Sequence, residues 1–339
     1  MDIGPFTIPS PFPPDFTTSW ITDLSLLHHF TTVTAKSLFR SGATPRDRET
    51  LWQIAVPALS FSPSHTFLLH EILATAAFHL AYLRPAERRH YHVLASQHQT
   101  VAIRGVRTAV ERITGENCHA VFAASSLFFI TALAAARPDG RWVTTVTVGD
   151  IVDIFLLVKG IGGVLDSAET DLRKGPFGKF FTPRVGSGEA KLSLTLGRVT
   201  GQLGVFLGRV RGLPEGDEVR QVVEREVELF RACVMKAAEV TADPEYRVIA
   251  SFPIVMTEGF VGLLRKRNQV ALGLLSYYCV VVNATEEGYW FTRGWGLGIM
   301  RDVVGEMGSP WDQDSAWALG WIEGHEEGGR GSDGEEGMY

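Results

Sequence analysis

From Trp20 onward, apolar residues recur at the three- and four-residue intervals of helices. Asp23-Leu-Ser-Leu-Leu-His-His-Phe30 puts Leu24, Leu27 and, further on, Leu38 near one face. Thr66–Arg84 (TFLLHEILATAAFHLAYLR) is apolar nearly all round, as a helix buried on every side must be. Pro85 fits the first turn of a following helix, about Ala86–Ile113. There Val93, Val101, Val106, Val110 and Ile113 mark a predicted apolar side, and Arg88, Arg89, Arg104, Arg107 and Arg112 a wet side. Ala120–Ala136 is the next helix and ends in the turn residues Arg137-Pro-Asp-Gly140. Trp142–Val148 is β-branched, but no partner strand follows, so it reads as an extended lead-in to a helix. Thr147 caps that helix, with Asp150 completing a capping-box variant, and it runs to about Val158. Helical patterning returns at about Leu192–Val210, Glu218–Val240, Thr257–Lys266, Val270–Val282 and Tyr289–Val304. With no strand–helix alternation and no fixed-period repeat, the expected fold class is all-α, an irregular multi-helix bundle.

Residues 1–19 are Pro- and Thr-rich and read as a disordered N-terminus. Residues 20–322 read as a single all-helical domain of two halves. A loop at about 165–190, holding four glycines and two prolines, joins them. Residues 323–339 are acidic and glycine-rich and read as a disordered tail. The N-terminus lacks the apolar core of a signal peptide. Ala120–Ala136 and Val270–Thr285 are shorter than the roughly 20 residues that span a bilayer, so buried core helices and no membrane span are expected.

The 339 residues are 45% hydrophobic and 21% charged, which excludes disorder throughout. Six acidic residues and one arginine lie in Glu323–Tyr339, so that segment carries −5 of the net −6 and leaves a nearly neutral body. Such a body has no overall basic field for phosphate backbones, which disfavours direct DNA binding. Cys118, Cys233 and Cys279 are far apart and mostly in apolar stretches. They form no C-x-x-C pair, so neither a thiolate zinc site nor a disulfide framework is expected, and inert thiols suit an intracellular compartment, nucleus or cytoplasm.

No chemical motif survives inspection. Gly175–Phe180 lacks the spacing and the Ser/Thr of a phosphate loop. Gly294-Trp-Gly296-Leu-Gly298 has no preceding strand and reads as close helix packing. His90 and His92 diverge by about 200° on a helix, so they and His98 do not line up as metal ligands. His79, in an apolar helix, reads as a hydrogen-bonded core residue. No cofactor, metal or catalytic group is nominated.

Two series of short segments do point to a family. The first is Asp23–Phe30, His70-Glu-Ile-Leu-Ala-Thr-Ala-Ala-Phe-His-Leu-Ala81 and Asn117-Cys-His-Ala-Val-Phe-Ala-Ala-Ser-Ser126. The second is Phe252-Pro-Ile254, Phe260-Val-Gly-Leu-Leu264, Ala271-Leu-Gly-Leu-Leu-Ser-Tyr-Tyr278, Tyr289-Trp290 and Arg293-Gly-Trp-Gly296. Together with Asp150–Gly160 they resemble, in order over roughly residues 23–322, the C-terminal regulatory region of fungal binuclear zinc-cluster transcription factors, the sterol-uptake regulators above all. The resemblance implies an all-helical domain with an apolar pocket in its C-terminal half, where the sterol-uptake branch senses a sterol. Only 22 residues precede the match and none is cysteine, and two zinc ions need six cysteines. The zinc cluster is therefore expected to be absent from this chain.

The resemblance implies a regulatory, ligand-binding protein of fungal lipid or secondary-metabolite regulation. Its partners would be a hydrophobic small molecule (sterol, terpenoid or polyketide) and a second chain, as a homodimer or as a heterodimer with a complete zinc-cluster factor. An alternative is an enzyme of secondary-metabolite biosynthesis, a cyclase or pericyclase using the same apolar pocket by positioning and desolvation. A third is a truncated gene product without a selected role. Candidate pocket residues are Phe260, Leu264, Tyr277, Tyr278, Trp290, Phe291 and Trp295, with Arg293 as an orienting donor. Successive helical positions diverge by about 100°, so at most one of Tyr277 and Tyr278 is expected to point inward.

Overall fold

The computed structural model describes residues 14–38, 50–137, 145–178, 192–240 and 243–330. Among them every regular element is helical, as the patterning predicts. The N-terminal half holds α1 (Pro14–His29), α2 (Leu51–Ser60), α3 (Thr66–Leu83), α4 (Arg88–Val110) and α5 (Cys118–Ala135). Beyond α1 a π-helical turn, Phe30–Thr34, continues the chain to Ser37. α6 (Val148–Lys174) leads into the C-terminal half. That half comprises α7 (Leu194–Arg211), α8 (Glu218–Val240), α9 (Pro244–Val255), α10 (Glu258–Arg265), α11 (Gln269–Thr285), α12 (Trp295–Val304) and α13 (Asp312–Arg330).

Two helices act as axes. α3 is buried without a break from Glu71 to Ala81, under α1, α2, α4 and α5. α11 is buried from Val270 to Val282, under α7, α9, α12 and α13. A helix apolar all round has no face for water, so it must be enclosed. Each fully buried Val, Leu or Phe contributes about 1.5–3 kcal/mol to that enclosure. α6 packs against α5 on one side and α9 on the other and so joins the halves. By length and apolar content, α5 and α3 with its preceding turn could each cross a bilayer, but most of that surface faces other helices.

Helix boundaries follow local chemistry where caps exist. The Asp150 N–H donates to Thr147 Oγ1 at 3.3 Å and the Thr147 N–H to Asp150 Oδ2 at 2.8 Å, the expected capping box. Ser193, Thr257 and Asn268 cap α7, α10 and α11 with side-chain oxygens that accept first-turn N–H groups. A Cβ on Gly296 would lie 2.7 Å from Asn283 Cβ, so the Gly294–Gly298 stretch does serve close helix packing, of α12 on α11.

Elsewhere packing overrides local pattern. Val93, Val101 and Val110, expected on the inner side of α4, are exposed; its buried residues are Tyr91, Ala95 and Ala102. α4 lies so close to α3 that a Cβ on Gly105 would sit 2.6 Å from Phe67 Cβ. A seam that tight admits alanine and glycine and pushes the valines outward. α6, expected to end near Val158, runs on to Lys174 through Gly160, Gly162 and Gly163. There α9 leans on it: a Cβ on Gly162 would lie 2.7 Å from Ile254 Cγ2. That close approach accounts for a glycine at 162, each helical glycine costing about 1 kcal/mol in propensity. The part of the expected 165–190 loop at 179–190 lies outside the described residues.

α9 has no counterpart among the expected helices, because Pro253 interrupts its pattern. The proline sits near the end, and the chain then bends by 98° into α10. At this corner the buried Glu226 carboxylate accepts the Thr257 N–H at 3.2 Å and hydroxyl at 2.7 Å. Lys159 Nζ donates to the Met256 carbonyl. Burial raises the Glu226 carboxyl to about 7. At the ends, α1 begins at Pro14, ahead of Trp20, and α13 runs past Glu323 to Arg330. Residues 1–13 and 331–339, within the segments read as disordered, lie outside the described residues.

The seam has a direct test. Ala102→Leu is expected to lose about 1–3 kcal/mol by overpacking. Val101→Ser, one residue away but exposed, should change stability by less than about 0.5 kcal/mol. Urea denaturation monitored by circular dichroism measures both, and an equal loss in the two variants would show that the valine side is the packed one.

Candidate ligand-binding site

Seven of the eight residues expected to line a pocket are fully or nearly fully buried: Phe260, Leu264, Tyr277, Tyr278, Trp290, Phe291 and Trp295. Arg293 is exposed. At most one of Tyr277 and Tyr278 is expected to face a pocket; both are buried in the core and neither lines the cavity described below. Because α11 is enclosed on all sides, both directions lead into protein. The Tyr277 hydroxyl donates to Asp314, which also pairs with Arg209, so that one carboxylate ties α7, α11 and α13. The Tyr278 hydroxyl donates to the Ile249 carbonyl at 2.9 Å, and its ring meets Phe155 edge to face at 5.2 Å. Trp295 Nε1–H donates to the Leu133 carbonyl at 3.0 Å, across to the N-terminal half. The polar ends of these three side chains are thus engaged within the protein. Burial raises both tyrosine hydroxyls well above their ordinary range.

An open cavity of about 550 Å³ lies elsewhere, between α3, α4 and the end of α5, within the range of about 300–1,000 Å³ typical of small-molecule sites. Trp290 brings the C-terminal half to its wall. The floor is apolar and buried: Phe78 and Ala81 from α3, Ala134 from α5, and Trp290. One face of α4 forms the opposite wall, with Arg89, His92, Val93, Ser96, Gln97 and Thr100 at helical spacing. Arg88, Tyr82, Ala135 and Arg137 complete it.

Trp290 is the centre of an aromatic pillar. Its ring stacks on His79 at 4.8 Å and approaches Tyr82 at 5.7 Å, and its Nε1–H donates to Ser37 Oγ at 3.1 Å. His79 Nδ1 is 3.0 Å from Thr34 Oγ1, in the π-helical turn, which is the core hydrogen bond expected of it. Burial, helped by neighbouring His29, lowers the His79 imidazole to about 3. The Arg137 guanidinium lies 4.8 Å over the Tyr82 ring and that of Arg293 5.8 Å from it. Arg293 is thus placed beside the cavity wall, and Trp290 is the candidate that lines it.

The histidines of α4 diverge as their spacing requires. His92 meets Phe78 edge to face at 5.4 Å on the cavity side. His90 packs against Tyr91. His98 Nδ1 lies 3.0 Å from His70 Nδ1 and its Nε2 lies 3.4 Å from Asp23, joining α1, α3 and α4. A second buried group, Glu71 on α3, accepts the Thr131 hydroxyl at 2.8 Å, and burial raises its carboxyl well above the usual range. Among the described residues no group of three or more His, Cys, Asp or Glu converges as metal ligands.

The structure is an all-helical bundle whose cavity has an apolar floor and a largely polar α4 wall; apart from Trp290 it is lined by the N-terminal half, not by the C-terminal half in which a pocket is expected. No family model matches the chain. Its homologues are fungal zinc-cluster transcription factors and sterol uptake control proteins, in agreement with the resemblance carried by the ordered segments. It is 24% identical over 306 residues to Sterol uptake control protein 2 of Candida albicans, covering 80% of this chain and 38% of that protein. It is 28% identical over 288 residues to the Zn(2)-C6 fungal-type transcription factor afumD of Aspergillus fumigatus, covering 81% and 71%. A Zn(2)-C6 fungal-type transcription factor of Gibberella zeae is 32% identical over 125 residues, 35% of this chain and 24% of that protein. The chain thus spans less than half of the Candida protein. The homologues, being transcription factors, agree with the intracellular compartment, nucleus or cytoplasm, expected from the sequence.

The pillar predicts a pH dependence. An imidazole held at about 3 in the fold and near 6.5 when unfolded gains its proton only on unfolding between those values. Its contribution is therefore complete above 6.5 and declines as pH falls toward 3. Between pH 7 and 5 the native protein should lose about 2 kcal/mol more stability than His79→Gln. Glu226 has the opposite sign: its stabilisation is present below about 4.5 and is lost as pH rises through about 7. Both proteins keep it, so the difference between their urea midpoints at the two pH values isolates His79. Parallel pH profiles would reject the assignment.

Proposed function

We propose that this chain is a regulatory domain whose cavity between α3, α4 and α5 binds a hydrophobic small molecule and whose occupancy is passed to a protein partner. The homologous transcription factors support the regulatory role. The observation that carries the ligand reading is Trp290. A residue of the C-terminal half forms the cavity floor, stacks on His79 of α3 and holds Ser37 beyond α1. A ligand against that indole would act on both halves at once, as a regulatory signal requires. The ligand class, a sterol, terpenoid or polyketide, and a place in lipid or secondary-metabolite regulation are part of the proposal. So is the partner, a second copy or a complete zinc-cluster factor.

The test uses dehydroergosterol as a fluorescent neutral probe, excited through tryptophan. Saturable binding at one site per chain is expected. Ser96→Trp combined with Ala135→Phe should fill the cavity and lower affinity at least tenfold, with the helical circular dichroism unchanged. Absence of saturable binding, or binding indifferent to filling, would remove the cavity as the site. Light scattering at one chain's mass, together with no retention of a complete zinc-cluster factor, would remove the partner.

A further inference from the structure

We infer that the cavity's occupant is a flat polycyclic phenol: fused aromatic rings carrying a hydroxyl group at one end. This rests on the cavity being the ligand site and names the class of molecule it takes.

The first observation is the common orientation of the rings at one side of the cavity. His79 and Trp290 stack at 4.8 Å with 26° between their planes, and His79 and Tyr82 at 6.3 Å with 11°. Tyr82 and Trp290 are inclined by 30° at 5.7 Å. Three rings thus lie nearly parallel, and two of them, Tyr82 and Trp290, line the cavity. The guanidinium groups of Arg137 and Arg293 already attend Tyr82, 4.8 and 5.8 Å from its ring centre. Trp290 carries His79 on it, and what it turns to the cavity is the part of the indole that His79 leaves uncovered. A flat conjugated ring system laid there extends the stack. A saturated ring system, puckered and edged with hydrogens on both faces, buries area against the indole but brings no π-face to it.

The second observation is the polar row on the α4 wall. Ser96, Gln97 and Thr100 share one face of that helix. The Ser96 hydroxyl donates to the His92 carbonyl at 2.9 Å, and the Thr100 hydroxyl to the Ser96 carbonyl at 2.8 Å. Each hydroxyl has one hydrogen and has spent it on the helix, so both oxygens face a ligand as acceptors. The Gln97 carboxamide oxygen is a third acceptor on the same face. A row of acceptors calls for a donor. A phenolic O–H, more acidic than an alkyl hydroxyl, is the better one, and it lies in the plane of the rings that stack. A flat phenol therefore meets both sides of the cavity, its rings on Trp290 and its hydroxyl on α4.

The test titrates the full chain with equilenin, a fluorescent steroid in which two fused rings form a naphthol. Its competitors are the fully saturated hydroxy ketone of the same skeleton, which lacks the flat rings, and equilenin 3-methyl ether, which lacks the donor. Equilenin should bind about three- to tenfold more tightly than either. Trp290→Leu should abolish the preference over the saturated ketone and keep that over the ether. Gln97→Leu combined with Thr100→Val, at exposed positions of α4, should do the reverse. The comparison of the three ligands on the unaltered chain decides the matter should Trp290→Leu fail to fold. Equal affinity for equilenin and either competitor overturns the inference, and dehydroergosterol binding that is lost on cavity filling then leaves the cavity reading standing. Saturable binding of none of these four molecules overturns both. A preference that survives its own variant in the folded protein assigns the contact to another surface and overturns the inference alone.

Discussion

Water must be kept from two helices that are apolar around their whole circumference, α3 and α11, and the rest of the fold follows from how that is done. Each becomes the axis of a half, and the amphipathic helices close around it. The enclosure is tight where the covering helix carries small residues, as α4 does against α3. It leaves a hollow beyond that seam, where the first turns of α4 pass Phe78, Ala81 and the end of α5. The cavity is thus a by-product of covering an all-apolar helix with one whose inner stripe is narrow.

Trp290 links this hollow to the rest of the molecule. It enters from the turn between α11 and α12, yet its partners are His79 and Tyr82 of α3 and Ser37 beyond α1. Trp295, a few residues on, reaches the Leu133 carbonyl of α5. The two indoles fasten the C-terminal half to the N-terminal one through large rigid rings whose N–H groups are each satisfied. A site built at such a junction is sensitive to both halves, the property a regulatory domain needs.

Three buried carboxyls form ties of one kind. Asp314 with Tyr277 and Arg209, Glu226 with Thr257, and Glu71 with Thr131 each place a carboxyl between helices. Burial raises all three carboxyls and lowers His79, so these groups sit in the core closer to neutrality than they would in water. Their value lies in directing which helix meets which, since a buried acceptor without its donor is costly.

Much of this was legible in the chain itself. The all-round apolar runs marked α3, α5 and α11, and the Thr147–Asp150 box marked the start of α6, because burial on all sides and capping are written in a few adjacent residues. The family of the homologues was legible in the order of short segments. The inner face of α4, the passage of α6 through its glycines and the helix containing Pro253 were not, because each depends on how near another helix comes, as at Phe67 and Ile254. The same holds for the cavity. Trp290 lies about 200 residues from Arg88 and Arg89, and Tyr277 and Tyr278 look no less like pocket residues in sequence. Residue types determined that helices would form and which would be innermost. The distance between packed helices, a property no single segment possesses, decided which aromatic rings are filler and which one faces open space.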